Sequence, residues 1–316
     1  MIDETFDYPD YLAVKHAIDS RSLAQNVWQT LAAFLKAHAT CHDFRILDIG
    51  AGTGSMLMRL LDADLLRQCQ YYAVEREPGF EQVAEKELAA WAEGHGCRLE
   101  ADGALGWTLQ NNEKRIDIKW LTTDIGELDA DFEGGFFDLL IGHAVIDLLP
   151  VPECLPGLLN LIKPGGGYYF SLNFAGVTRF LPADARDREI TELYHRDMDR
   201  RFPKIDWRAS QTGKLLGPWL KEQGHQVLAE GISDWQIAAA SSATAAENRF
   251  IGNILATLEK ALAGLDGLDD WIRLRRQQAA SGKLLFFAAN RDYFGRTCPL
   301  DPPQGKHSNQ QNNRIT

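Results

Sequence analysis

The sequence has few cysteines, no excess of basic residues and no long hydrophobic run, and each absence excludes a class of protein. Its five cysteines are odd in number and show no CxxC or Cys/His spacing, which argues against a disulfide framework and a structural zinc site. The longest apolar runs, such as 284–289, are far too short for a membrane span. The N-terminus, MIDETFDYPD, lacks the apolar core of a signal peptide. We therefore predict reduced thiols, no metal site and a soluble, cytoplasmic protein.

Acidic residues outnumber basic residues along the chain. There are 44 aspartates and glutamates against 33 lysines and arginines, which gives a formal net charge of -11. A surface of this sign repels phosphate groups, so nucleic acids and anionic membranes are not expected partners. The 316 residues suffice for one large α/β domain with insertions, and we find no internal repeat or Pro- or Ser-rich linker that divides the folded part.

Apolar strands alternate with helical segments through the first half of the chain. This order, with short connections, is typical of a parallel, doubly wound sheet. We predict an α/β fold with a doubly wound, mostly parallel seven-stranded sheet, helices on both faces, an N-terminal helical cover and two helical insertions. The predicted strands lie near residues 44–49, 71–74, 116–121, 136–141, 168–174, 226–237 and 283–289.

The predicted domain organisation has three parts. Residues 1–40 form the helical cover, in which apolar residues recur at helical spacing. Residues 41–298 form one ligand-binding domain, with helical insertions at about 175–225 and 238–282. Residues 299–316 are rich in Pro, Gln and Asn, and we predict that they are disordered.

A glycine-rich turn follows the first predicted strand, in the segment LDIGAGTG at residues 47–54. Such a turn brings backbone N–H groups at the start of the next helix close to a nucleotide-like ligand. A dinucleotide fingerprint would read GxGxxG, but position 55 is serine. Asp48, two residues before the first glycine, would repel a pyrophosphate and attract a ligand ammonium group. An NAD-dependent dehydrogenase is therefore the weaker interpretation of this motif.

This segment resembles motif I of the class I, Rossmann-like S-adenosylmethionine-dependent methyltransferases, and four further motifs follow in the family's order. They are YAVERE with Glu75, LTTDI with Asp124, FDLLIGHAVIDLL, and LIKPGG before the fifth strand. The resemblance covers roughly residues 44–175, and it implies that residues 41–298 are a methyltransferase domain with S-adenosyl-L-methionine as cofactor. It implies that Glu75 holds the ribose hydroxyls and that Asp124 lies near the adenine amine. The predicted cofactor-binding residues are Asp48, Gly50, Ala51, Gly52, Gly54, Glu75, Asp124 and Ile125.

The segment after the fourth strand bears on the methyl acceptor. Methyltransferases that act on nucleic-acid bases often carry an Asn- or Asp-Pro-Pro-aromatic motif there, whereas this chain reads Gly142-His143-Ala144-Val145. The resemblance implies that this position faces both cofactor and acceptor. His143 is the candidate catalytic base, since histidine can accept a proton at neutral pH, but a histidine that only forms hydrogen bonds fits equally well. Asp147, one turn further, would orient His143 or cap the next segment.

Further residues are candidates for the acceptor pocket. Helices ahead of the first strand close over the cofactor in small-molecule members of this family, which makes Tyr11 and Lys15 parts of the predicted cover. Most charged residues of the first insertion are predicted to form a solvated helix face with internal ion pairs. The candidate substrate-binding residues are Tyr11, Asn173, Arg179, Tyr194 and His195.

The two insertions predict an enclosed pocket, which favours a small-molecule acceptor. Methyl transfer from a sulfonium is an in-line displacement that depends on proximity and orientation, and His143 would assist if a hydroxyl or thiol must lose a proton. Three alternatives stay open: an aminopropyl transferase of related fold, a non-catalytic S-adenosylmethionine-binding scaffold, and an NAD-dependent oxidoreductase. Neither the acceptor nor the oligomeric state follows from the sequence.

Overall fold

A computed structural model gives the fold of the chain. It describes residues 8–38, 41, 43–103, 106–239 and 245–298. Within these ranges, the side chains are left undescribed at residues 8–14, 129–130, 239 and 245–246. The tail that we predict to be disordered, 299–316, lies outside the described residues. No helix in the described ranges is long and apolar enough to cross a membrane.

Ten strands form one sheet in the described part of the chain. In chain order they are β1 (Arg45–Ile49), β2 (Gln68–Val74), β3 (Arg98–Ala101), β4 (Gly106–Gln110), β5 (Arg115–Leu121), β6 (Phe137–His143), β7 (Ile162–Leu181), β8 (Gln226–Ile232), β9 (Trp235–Ala239) and β10 (Leu284–Arg296).

The strand order places a crevice at the centre of the sheet. Five strands run parallel there, in the order β5-β2-β1-β6-β7. The antiparallel hairpin β3-β4 extends the sheet beside β5, and β10 extends it beside β7, with β8 and β9 along the far edge of β10. The chain proceeds outward from β1 in one direction and then returns to β6 on the other side. Ligands of open α/β sheets bind at such a reversal, outside the carboxyl ends of the strands.

Ten α-helices surround this sheet within the described ranges. They are α1 (Tyr8–Ser22), α2 (Gln25–Ala37), α3 (Ser55–Asp62), α4 (Phe80–Gly94), α5 (Leu128–Asp131), α6 (Val151–Asn160), α7 (Asp187–Asp199), α8 (Thr212–Glu222), α9 (Ala245–Ala261) and α10 (Leu268–Ala280). Helix α2 shows why the sequence forms helices that pack on the sheet. Its buried residues Val27, Leu31, Phe34 and Leu35 recur at helical spacing and join the core on one face.

The prediction of an α/β fold with a parallel central sheet is confirmed, but the predicted number of seven strands is wrong. The hairpin β3-β4 was missed because the residues of β3 are mostly polar and exposed. The segment 226–237 contains two strands, because the chain leaves the sheet at Ser233 and Asp234. The Ser233 N–H donates to the carbonyl of Asn290 (3.1 Å), and Oδ1 of Asp234 accepts from the Asn290 N–H (2.9 Å).

The first predicted helical insertion, at about 175–225, begins later than predicted. Strand β7 is 20 residues long and continues to Leu181. It does so because β10 pairs with it antiparallel from Gly167 to Leu181. The end of β7 therefore forms part of a wall above the crevice, and the helices α7 and α8 follow it.

Candidate active site

The glycine-rich segment forms a tight loop between β1 and α3. Gly50, Gly52 and Gly54 have φ angles of 63°, 58° and 84°, a left-handed conformation that side chains disfavour. A Cβ atom at Gly50 would lie 2.6 Å from Cγ2 of Val145, so a larger residue would clash there. The loop therefore lies close against the segment that follows β6, at the crevice between β1 and β6.

A cavity of about 1040 Å³ occupies this crevice. The glycine loop and the ends of β1 and β2 line one part, which we call the loop half. Residues from α1, the end of β6 and the turn after it, β7, α7, β9, α9 and β10 line the other part, which we call the cover half. The loop half is defined by Asp48, Gly50, Ala51, Gly52, Glu75 and Asp124, and the cover half by Lys15, Asp19, His143, Asp147, Tyr194 and Trp235.

Asp48 contributes a buried carboxylate to the loop half. Its Oδ2 accepts a hydrogen bond from the Tyr71 hydroxyl (2.6 Å), whereas its Oδ1 is buried without a partner. Burial, with a smaller contribution from Glu75, raises the pKa of Asp48 to about 7. A buried acceptor atom without a donor is costly, and a ligand ammonium group would satisfy it. The structure therefore fits the ammonium-binding role that the sequence predicts for Asp48.

Glu75 follows β2 and is fixed by the backbone on both sides. Its Oε2 accepts from the Gly52 N–H (2.9 Å) and its Oε1 from the Glu77 N–H (3.0 Å). Only 9% of the residue is exposed, and it lines the cavity. Each carboxylate oxygen keeps a lone pair, so the group can accept from two neighbouring hydroxyls of a ligand. This geometry suits the ribose-binding role that the sequence predicts.

Asp124 and Ile125 lie at the rim of the loop half. Both line the cavity, and Ile125 begins a short helical turn, Ile125–Glu127. Oδ1 of Asp124 accepts from the Gly126 N–H (2.8 Å), so this side chain caps the turn. The capping role is compatible with a second contact to a ligand amine, because the other carboxylate oxygen has no protein partner in the described residues.

A buried polar cluster joins α1 to the sheet in the cover half. Asp19 accepts from the Lys15 ammonium (2.5 Å) and from Nε2 of His143 (3.2 Å) through Oδ2. Its Oδ1 accepts from the Trp235 indole N–H (3.1 Å). Burial alone would raise the pKa of Asp19, but Lys15 and His143 lower it to about 2. Asp19 is therefore an ionised carboxylate that holds three side chains around the cavity.

These contacts determine the tautomer of His143. Because Asp19 is ionised and can only accept, Nε2 of His143 must carry the proton, and Nδ1 then accepts from the Ser171 hydroxyl (2.8 Å). Burial lowers the pKa of His143 to about 4. Both ring nitrogens are thus engaged and the ring is neutral, which favours the hydrogen-bonding interpretation of His143 over the base.

Some of the predicted substrate-binding residues line the cavity and others do not. Tyr194 lines the cavity, and so does the predicted base His143. Asn173 instead donates to the carbonyl of Arg291 (2.8 Å), and Arg179 lies over the Phe287 ring at 6.0 Å. These two residues and His195 are not among the described residues that line the cavity; His195 bonds Oγ1 of Thr178 (3.0 Å). The side chain of Tyr11 lies outside the described residues.

Gly54, one of the predicted cofactor-binding residues, supports the loop from outside the cavity lining. A Cβ at this position would make an ordinary contact, 3.5 Å from that of Ala84, so the left-handed φ angle of 84° is the reason for a glycine here. Asp19, Trp235 and Arg201 also line the cavity, and sequence reasoning missed them. The i, i+4 spacing of Lys15 and Asp19 was the only available signal, and this spacing is common on solvated helices.

Metal binding has no visible basis in the described part of the chain. No group of three or more His, Cys, Asp or Glu side chains there is arranged to hold a metal ion.

Part of this chain is similar to known proteins. Residues 22–156 match the family model described as "Putative S-adenosyl-L-methionine-dependent methyltransferase". The squalestatin tetraketide synthase of Phoma sp. is 28% identical over 145 residues, which is 44% of this chain and 5% of that protein. The chain thus spans about a twentieth of this much longer relative.

Two solved structures are similar to this chain at low sequence identity. A structure titled putative methyltransferase from Bacillus halodurans is 14% identical, covers 85% of this chain and 99% of its own, and has a TM-score of 0.47. A structure titled putative sarcosine dimethylglycine methyltransferase from Galdieria sulphuraria is 13% identical, covers 85% and 86% respectively, and has a TM-score of 0.42.

Proposed function

We propose that this chain is an S-adenosyl-L-methionine-dependent methyltransferase that transfers the methyl group to a small molecule held in the cover half of the cavity. One observation supports this proposal most directly. A glycine loop with two buried carboxylates, Asp48 and Glu75, lines one half of a cavity, and the other half is a separate, covered space. The loop half suits the cofactor, and the cover half leaves room for an acceptor beside it.

In this proposal, each residue of the loop half contacts a different part of the cofactor. Asp48 would hold the ammonium group, Glu75 the ribose hydroxyls, and Asp124 with Ile125 would border the adenine. Gly50, Ala51 and Gly52 would pass beneath the cofactor with their backbone. When bound, S-adenosyl-L-methionine supplies a methyl carbon that is electrophilic because it is attached to a sulfonium sulfur.

The contribution of the protein is orientation and the exclusion of water. Helix α1 covers the site, and the contacts of Asp19 with His143 and Trp235 fix it to β6 and β9. Arg59 strengthens this attachment, because its Nε donates to the Ser20 hydroxyl (3.1 Å). Holding two reactants in line can contribute about 7–11 kcal/mol in the best intramolecular cases.

The walls of the cover half favour a small acceptor. Phe174, Met198, Trp235, Ile254 and Phe286 line it, so most of its surface is apolar. The volume of about 1040 Å³ is at the upper end of typical small-molecule sites, which suits a cavity shared by cofactor and acceptor. The predicted base, His143, takes the role of a neutral group that positions α1, since Ser171 and Asp19 engage both nitrogens.

We expect Glu75→Ala to weaken the binding of S-adenosyl-L-methionine by about 10- to 100-fold, because two hydrogen bonds to a charged acceptor are lost. Calorimetric titration with S-adenosyl-L-methionine and S-adenosylhomocysteine measures this. Glu85→Ala is the matched control, because Glu85 is exposed on α4 and does not line the cavity. Equal affinities of the Glu75→Ala variant and the wild type would remove Glu75 from the cofactor site.

The reaction itself is tested by release of S-adenosylhomocysteine in a screen of small molecules. A wild-type chain that binds the cofactor and yields no S-adenosylhomocysteine with any acceptor would favour the alternative of a non-catalytic scaffold. Binding of NADH without binding of S-adenosyl-L-methionine would favour the oxidoreductase. A cytoplasmic location and the lack of nucleic-acid partners stay predictions, to be tested by fractionation and by titration with nucleic acid.

A further inference from the structure

Asp147 is a carboxylate of the cover half that the mechanism above does not use. It lies in the short helical turn Ile146–Leu148, directly after β6, and lines the cavity. Its carboxylate interacts with its own backbone N–H and with that of Phe174 on β7. No ion pair involves Asp147 in the described part of the chain. The charge of this side chain is thus available to a bound molecule.

The groups around Asp147 come from three elements. Tyr194 on α7, Arg201 just after α7 and Lys15 on α1 line the same half of the cavity. Burial raises the pKa of Asp147 to about 6, and Arg201 and Lys15 limit the rise. The pKa of Tyr194 is also raised, mainly by burial. The nearby Arg201 opposes this rise, and the nearby Asp147 adds to it. Asp147 is therefore ionised at neutral pH while remaining basic enough to accept a proton.

The other titratable groups of the cavity are less suited to accept a proton from an acceptor. His143 has both nitrogens engaged. Asp19 accepts from three donors and has a pKa of about 2. Asp48 is bonded to Tyr71 in the loop half, at the position assigned to the cofactor ammonium. Among the described residues, Asp147 is the remaining carboxylate of the cover half.

The charges nearby select among the possible acceptors. An acceptor that is already an anion would be repelled by Asp147, and a cationic acceptor would be repelled by Arg201, since the charge of Lys15 is paired with Asp19. A neutral hydroxyl meets neither penalty. Once it loses its proton to Asp147, the Arg201 guanidinium stabilises the developing negative oxygen. The apolar walls, with Phe174 and Trp235, fit an aryl or alkyl skeleton that carries this hydroxyl.

We propose that Asp147 is the catalytic base that accepts the proton of a hydroxyl group on an apolar small molecule, with Arg201 and Tyr194 beside the reacting oxygen. The proposal rests on the proposed function. The acceptor O–H bond breaks as its proton moves to a carboxylate oxygen of Asp147. The oxygen lone pair forms the new O–CH₃ bond, and the electrons of the breaking S–CH₃ bond remain on the sulfur, which becomes a neutral thioether.

The test compares Asp147→Asn with the wild type on three probes of similar skeleton: 4-propylphenol, 4-propylbenzoate and 4-propylbenzylamine. Release of S-adenosylhomocysteine is measured against pH at saturating S-adenosyl-L-methionine, so that titration of Asp48 does not limit the rate. We expect turnover of the phenol only, with an acid limb near the pKa of about 6. Asp147→Asn should lower kcat/KM by about 100-fold or more and remove that limb. Glu153→Gln, an exposed carboxylate on α6, is the control and should change neither.

Each other outcome is also informative. An acid limb near the pKa of about 4 that survives in Asp147→Asn would assign the proton to His143 and overturn the proposal. Preferred methylation of the benzoate or the amine would overturn the hydroxyl acceptor. If the wild type binds the cofactor but turns over no probe, calorimetry of 4-propylphenol with the S-adenosylhomocysteine complex decides: binding that Asp147→Asn weakens supports the proposal, and no binding overturns it. Failure to bind S-adenosyl-L-methionine would instead reject the proposed function.

Discussion

Replacing Asp48 by asparagine is expected to abolish cofactor binding and, at the same time, to stabilise the folded chain at alkaline pH. Asparagine keeps an oxygen that can accept from the Tyr71 hydroxyl, but it cannot attract an ammonium group. The fully buried carboxylate, in contrast, is costly to ionise in the folded state, as its pKa of about 7 against an ordinary 3.8 indicates. The same charge that binds the ligand therefore destabilises the ligand-free protein.

The sign and the pH window of this effect follow from linkage. A carboxyl with a raised folded-state pKa costs nothing below its unfolded pKa, and the cost grows as the pH rises through the folded pKa. The free energy of unfolding of the variant should match that of the wild type near pH 3.8 and exceed it by about 2–4 kcal/mol above pH 7. Urea unfolding at a series of pH values, without cofactor, measures the difference.

A control variant distinguishes the effect of Asp48 from a gain in stability that the removal of any negative charge would give. Asp43 lies two residues before β1 and is exposed, so Asp43→Asn should leave both stability and cofactor affinity unchanged. The interpretation of Asp48 fails if Asp48→Asn retains wild-type affinity for S-adenosyl-L-methionine, or if it is less stable than the wild type at alkaline pH.

Arg275→Met is the second substitution with a large expected effect, in this case on stability. Arg275 is fully buried on α10, and its guanidinium pairs with Asp187 at the start of α7. It also donates to the carbonyl of Pro182 (2.7 Å) and lies 5.1 Å from the Trp271 ring. Removing one partner of a buried ion pair costs about 3–5 kcal/mol, because the other charge is left without compensation.

The neighbouring residue provides a matched comparison for this loss. Arg276 pairs with Glu259 (2.6 Å), but both side chains are about half exposed. An exposed pair contributes about 0–1 kcal/mol, so Arg276→Met should change the free energy of unfolding by no more than that. Chemical unfolding of both variants measures the contrast. Equal losses would show that the network of Arg275 does not hold α7 and α10 against the end of β7.

The loop half of the site was predictable because its residues are close in sequence. The segment LDIGAGTG contains the strand end, the buried Asp48 and the glycines whose positive φ angles form the loop. Glu75 and Asp124 follow two strands that run parallel and end at the same edge of the sheet. A repeated order of strand, turn and helix thus suffices to bring these side chains together, since parallel strands align their carboxyl ends.

The cover half required the tertiary structure. Asp19 meets His143 across 124 residues and Trp235 across 216, and no local pattern in the sequence relates these positions. Asp147 and Arg201 are likewise separated by the whole of β7 and α7. The sequence by itself therefore determined the fold class and predicted the cofactor, because these depend on periodic and local features. The state of His143 and the choice of Asp147 as base depend on burial and on contacts between distant segments, which exist only once the chain has folded.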